Sequence, residues 1–174
     1  MEWEIVRLSD LGQIVGGGTP STKESEYWNG DIAWITPADL SGYTDKYIAR
    51  GSRNITQSGL AASSAVVMPI GSVLMSSRAP IGYCVISANE VSTNQGFKSV
   101  VPYITATNEY LYYYLLANVE GICSRASGTT FKEISGTEFG NTVVSLPPLA
   151  EQLRIVSAIE AAYLILDIIS SNIR

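Results

Sequence analysis

Apolar and polar positions alternate through most of this chain in short runs, and only two stretches carry helical spacing. Residues 4–8 (EIVRL) read as a short strand or extended lead-in, and SDLGQIV after them as one or two helical turns. A long polar, glycine-rich loop follows, GGGTPSTKESEYWNG, and then DIAWIT (31–36), which has strand composition. Pro37 after it opens a short helix, PADLSG. SVLMSS and GYCVIS are two strand-like runs separated by the proline turn RAPI, and FKSVVPY is a further strand. The first helical pattern is residues 107–119, where Asn108 is placed to cap and Leu111, Leu115 and Val119 share a face. Its tyrosines, Tyr110, Tyr112, Tyr113 and Tyr114, read as core and rim packing. NTVVSLPP is a last strand, stopped by its double proline.

The closing helix has the sharpest periodicity. Ile155, Ile159, Ala162, Leu166, Ile169 and Ile173 recur at spacings of 4, 3, 4, 3 and 4, as on the a/d seam of a coiled coil. Leu153, Val156, Tyr163 and Ile165 widen the stripe, which keeps packing against its own domain open as well. The layout predicts an α+β (mixed α/β) fold: a small mixed-sheet domain with few helices over residues 1–148, and a long coiled-coil-type helix over 149–174.

Composition narrows the chemistry. The chain has no histidine, which removes Ser–His–Asp and Cys–His nucleophile systems, histidine-based zinc sites and histidine general bases together. GGGTP has neither the spacing nor the lysine of a phosphate-binding loop. Cys84 and Cys123 read as a reduced, buried pair, and no metal or cofactor is expected. No apolar run reaches the ~20 residues of a membrane span, and MEWEIVRLSD lacks a signal-peptide pattern, so a cytoplasmic location is expected. Net charge is −5, but it is unevenly spread. Residues 1–45 carry two basic and eight acidic side chains; residues 46–132 carry seven basic and three acidic. Such asymmetry permits a basic surface on an acidic protein, and with it a polyanionic partner.

Four stretches in order, GGGTPSTKESEYWNGDIAWITPADL, SSRAPIGY with STNQGFKSV, SGTTFKEIS, and SLPPLAEQLRIVSAIE, resemble the DNA specificity subunits of Type I restriction–modification enzymes. The resemblance implies a target recognition domain followed by the start of a spacer helix. It implies double-stranded DNA as ligand, with modification (methyltransferase) and restriction subunits as partners and no catalysis by this chain. In the family's methyltransferases an Asn/Asp-Pro-Pro-aromatic motif serves adenine methylation; LPPL here has Leu146 and Leu149 at the matching places, so the prolines read as a connector. The family's subunit carries two recognition domains with paired helices. One domain and one short helix here imply either a half-length subunit that self-associates or a piece with a missing second half.

Candidate DNA contacts follow from residue chemistry. Phosphates favour Lys, Arg and hydroxyl groups, whereas base edges favour Arg, Lys, Asn and Gln. Arg78 in MSSRAPIG, Asn94, Gln95 and Lys98 in STNQGFKS, and Arg125, Thr129, Thr130 and Lys132 in RASGTTFKE are the residues selected. Since their motifs are the ones that carry the resemblance, they are expected to do scaffold or phosphate work. Base reading is then assigned to less recognisable segments such as SGYTDKYIARGSRNITQSG. The alternative is a module that pairs through its helix and binds protein or glycan, using exposed aromatics such as Trp28 and Trp34. A positive face formed by Arg78, Lys98 and Lys132 would favour DNA.

Overall fold

The computed structural model describes residues 3–129 and 132–172; Thr130 and Ile173 lie outside the described residues. The chain begins β1 (Glu4–Arg7), α1 (Leu8–Leu11), β2 (Gly12–Gly16), β3 (Trp28–Ile35), a 3-10 turn (Pro37–Leu40), β4 (Tyr47–Ile48), β5 (Arg53–Ile55) and α2 (Gln57–Ala61). It continues β6 (Val73–Ser77), β7 (Ile81–Ser87), β8 (Ser92–Thr93), β9 (Phe97–Pro102), α3 (Asn108–Ala117), α4 (Val119–Ser124), α5 (Gly136–Gly140), β10 (Val143–Leu146) and α6 (Leu149–Asn172). A five-stranded sheet has the order β2-β9-β6-β7-β4, a three-stranded sheet the order β5-β3-β8, and β1 pairs with β10. The β3–β8 and β4–β7 pairings are parallel within otherwise antiparallel ladders, so the fold is the mixed α+β class expected.

Period-two alternation places the five-stranded sheet between two cores. Val73 and Met75 of β6 and Ile86 of β7 face a core completed by Leu111, Leu115 and Ile122 of α3 and α4. Leu74 and Val85, one residue out of step, face the opposite core with Ile35, Met68 and Phe97. A sheet covered on both sides explains the continuous apolar run VLM. Each fully buried leucine contributes about 1.5–3 kcal/mol.

SDLGQIV supplies one helical turn, within the one or two expected: the Arg7 N–H donates to Asp10 at 2.8 Å, and from Gly12 the chain pairs with β9. Local chemistry corrected two other expectations, both in α3. Asn108 does not cap α3; it is the first helical residue, and its amide donates to the Gly71 carbonyl at 3.3 Å. That helix also stops at Ala117, because Asn118 leaves helical geometry and donates back to the Tyr114 carbonyl at 2.7 Å, a side-chain bond that competes with the helix ladder. The tyrosines pack α3 onto the last strand: Tyr110 donates to the Ser145 carbonyl, and Tyr114 donates to that of Val143 at 3.1 Å.

Pro147 ends β10, and the Gln152 amide donates to its carbonyl at 2.8 Å, fixing the root of α6. Gln152 and Val156 are buried, and the Tyr163 ring stacks on Tyr113 at 6.4 Å. Lys46, the residue before β4, holds the same face, bonding Glu109 at 2.7 Å and Glu160. Burial works against the Lys46 charge, but the two carboxylates outweigh it and raise its pKa. At about 100° per residue, this docking stripe lies roughly a quarter turn from Ile155, Ile159, Ala162, Leu166 and Ile169. Ile155 and Ile159 are half-buried, whereas Ala162, Leu166 and Ile169 are exposed, as is every residue of α6 from Ala161 to Asn172. The helix therefore runs about 14 Å beyond Tyr163, its last docked residue. Among the described residues no helix is long and apolar enough to cross a membrane.

Candidate nucleic-acid interface

Four loops meet at one end of the five-stranded sheet. The Ser77 N–H donates to the Gly96 carbonyl at 2.7 Å, and the Ile134 N–H donates to the Ser77 carbonyl at 3.0 Å. The end of β6, the turn before β9 and the segment leading into α5 are thereby laced together. The fourth loop is the glycine run after β2, whose Gly18 N–H donates to the Thr93 carbonyl at 2.9 Å. A Cβ on Gly17 would stand 1.9 Å from the Asn94 carbonyl oxygen, so two backbones touch where a side chain cannot fit. The run is a packing seam.

The selected residues divide within this cluster. Lys98 donates to Glu133 at 3.1 Å and Arg78 approaches the other carboxylate oxygen at 3.6 Å, so two cations share one carboxylate. Lys132 and Thr129 are exposed beside them. Gln95 is exposed and bonds Thr19. Asn94 turns inward, its side-chain oxygen accepting the Gly96 N–H at 2.9 Å. Arg125 also turns inward, donating to the Thr142 hydroxyl at 2.7 Å. Nothing about Thr130 follows, since it lies outside the described residues. Glu133 was missed by sequence reasoning, because a carboxylate next to a lysine gives no signal of a partner 35 positions away.

A second polar surface lies on the smaller sheet. Residues 50–53, between β4 and β5, are pinned by Asp39, which accepts N–H bonds from Ser52 and Thr36 at 2.8 Å each. Burial alone raises the Asp39 pKa, but hydrogen bonds from Ser52 and Thr36 outweigh it and hold the carboxyl below its ordinary value. With a depressed folded-state pKa, this stabilisation is full above the unfolded value, about 4, and is lost only as pH falls through the lower folded one. The loop is thus fixed at neutral pH. Trp28 and Trp34 beneath it are buried and packed edge-to-face at 5.1 Å, with their indole N–H groups donating to the Ser21 and Gly18 carbonyls. This corrects the expectation of exposed aromatics and removes that support for a glycan- or protein-binding module.

Among the described residues there is no group of three or more His, Cys, Asp or Glu side chains able to hold a metal ion. Cys84 is buried and Cys123 half-buried, both free thiols, so the expected buried pair is only half correct. Burial pushes the Cys84 thiol pKa up.

The profile of the Type I restriction modification DNA specificity domain matches residues 1–174. The chain belongs to this family. It is 41% identical over 160 residues to the MjaIX specificity subunit of Methanocaldococcus jannaschii, covering 91% of this chain and 37% of that subunit. It is 28% identical to the EcoR124I/EcoR124II specificity subunit of Escherichia coli over 92% of this chain and 40% of that one. The fold is that of the HsdS subunit from Thermoanaerobacter tengcongensis, with a TM-score of 0.72 at 23% identity, over 98% of this chain and 39% of that one. The chain thus spans less than half the length of the specificity subunits it matches.

Proposed function

We propose that this chain is the DNA-reading part of a Type I specificity subunit, and that it directs modification and restriction subunits to one half of a bipartite site. It has no chemistry or cofactor of its own and works in the cytoplasm, where its DNA lies. The observation that carries the reading is the DNA specificity domain match along the whole chain. The convergence of Arg78 and Lys98 beside exposed Lys132 supports it, since phosphate contacts need positive groups on a fixed scaffold. The exposed half of α6 is the spacer and assembly element, covered by the helix of a second copy or of a second recognition domain. Calorimetry on the chain alone should show no S-adenosylmethionine binding; a bound cofactor would count against the reading.

The electrostatic test uses two opposed variants in the assembled enzyme. Arg78→Ala should weaken binding to all duplexes and lower the slope of log affinity against log salt by ~0.9, the value for one lost phosphate contact. Glu133→Gln removes the carboxylate that Arg78 and Lys98 share, and should strengthen binding and steepen the slope. Titrations at several salt concentrations decide it: two variants that both match the wild type would remove this loop cluster from the DNA.

A further inference from the structure

Most basic side chains in this domain are already committed. Among the described residues, Lys46, Arg78, Lys98 and Arg154 each lie within 4.0 Å of a carboxylate, and Arg7 and Arg125 donate to neighbouring side chains. Arg50 and Arg53 make no ion pair or side-chain hydrogen bond among the described residues. They line one cavity of about 290 Å³ with Asn29, Ser52 and Asn54, and no carboxylate lines it.

The cavity is built, not incidental. Gly51 is seated so closely that a Cβ there would stand 2.6 Å from the Trp34 carbonyl oxygen and 2.8 Å from Asp39. The β3–β5 ladder slips between Trp28 and Ile32, and Asn29, at φ 62°, leaves the pairing in that irregularity. Bulges of this kind re-aim side chains, and asparagine accepts the left-handed conformation more readily than most residues. The Arg53 guanidinium lies 3.5 Å over the Trp28 ring. Stacking occupies the face of the guanidinium and leaves its in-plane N–H groups free to donate as a fork. β3 separates β5 from β8, which leads into Asn94 and Gln95, so the cavity sits about two strand spacings, ~10 Å, from that turn.

Two planar guanidinium forks, that of Arg53 held over the Trp28 ring, and two carboxamides, with no carboxylate among the lining residues, match the donors and acceptors that read guanine and adenine edges in the major groove. We infer that this cavity is the base-reading surface of the domain, with Arg50, Arg53, Asn29 and Asn54 as its specificity-determining residues. The inference rests on the DNA-recognition reading above and goes beyond it by separating base reading here from phosphate work at the Arg78–Lys98–Glu133 cluster.

The test is selection from random-sequence duplex DNA by the assembled enzyme, comparing wild type with Arg50→Ala, Arg53→Lys and Asn29→Gly. Arg53→Lys keeps the charge and loses the planar fork; Asn29→Gly removes the amide and tolerates the positive φ. Unchanged melting midpoints verify the fold. The expected result is a selected site relaxed at one or two positions, where a preference of roughly 5–150-fold for the native base falls towards unity. An unchanged selected sequence in all three variants overturns the inference and leaves the recognition reading standing. So does a uniform loss of affinity for every duplex, which would make the cavity a phosphate contact. If wild type itself selects no sequence, the recognition reading fails and the inference falls with it.

Discussion

Replacing Leu166 and Ile169 together with Asp should leave the recognition domain folded and abolish assembly. Both side chains are about half exposed, at 56% and 49%, and neither belongs to a core of the domain. Their loss should therefore move the thermal midpoint of the chain alone no more than other surface changes do, within about 0.5 kcal/mol. In a helix–helix contact the same residues are worth about 1.5–3 kcal/mol each when fully buried, and a buried, unpaired carboxylate adds a further penalty. The combined loss of about 3–6 kcal/mol corresponds to roughly 10²–10⁴ in affinity. Sedimentation of the chain, and co-purification with the modification subunit proposed as its partner, should both report it. The contrast is Val156→Asp, which places a carboxylate in the core at a residue 4% exposed and should unfold the domain. Retained assembly in the double variant would exclude the distal half of α6 as the contact surface.

Within the run Gly16-Gly17-Gly18, single alanines should have opposite consequences. At Gly16 an added Cβ meets nothing within 4 Å, whereas at Gly17 it would lie 1.9 Å from the Asn94 carbonyl oxygen and 2.5 Å from that of Thr93. Those atoms are backbone, and the neighbouring Gly18 N–H bond to Thr93 holds them in place. Overpacking against atoms that cannot rotate away costs about 1–3 kcal/mol and sometimes more. Gly17→Ala should sit at or above the top of that range. For a chain of this length, about 3 kcal/mol lowers the melting temperature by roughly 6–12 °C. Gly16→Ala should be neutral or slightly stabilising, through the unfolded chain. Equal midpoints for the two variants would remove the glycine run from the packing seam between the β2 loop and the β8–β9 turn.

Much of the framework was legible before any tertiary information, because its causes are local. The apolar runs at residues 73–77, 81–87 and 97–102 are strands in the structure, since β-branched side chains and the flanking turns favour extended backbone whatever lies across the ladder. The start of α6 was legible from Pro147 and Pro148, and its apolar content from spacing alone. The want of histidine was decisive at any level of structure. Where a side chain had a local alternative the reading failed, as at Asn118, whose amide returned to the Tyr114 carbonyl four residues back.

The candidate sites depended on partners far along the chain. Lys46 counted towards a basic stretch in the sequence, yet it is spent on Glu109 and on Glu160, 63 and 114 positions away. Arg78 and Lys98 looked like independent cations until Glu133 came between them. Trp28 and Trp34 looked available for a ligand until Ile55 of β5, with Leu60 and Ala65, packed against them. By itself the sequence determined the alternation of short strands, the stop before the last helix and the absence of histidine chemistry, because each follows from one residue or its near neighbours. Only the tertiary structure decided which charges remain unpaired and which face of α6 is already covered. Coulomb and packing energies depend on distance in space, and separation along the chain does not set that distance.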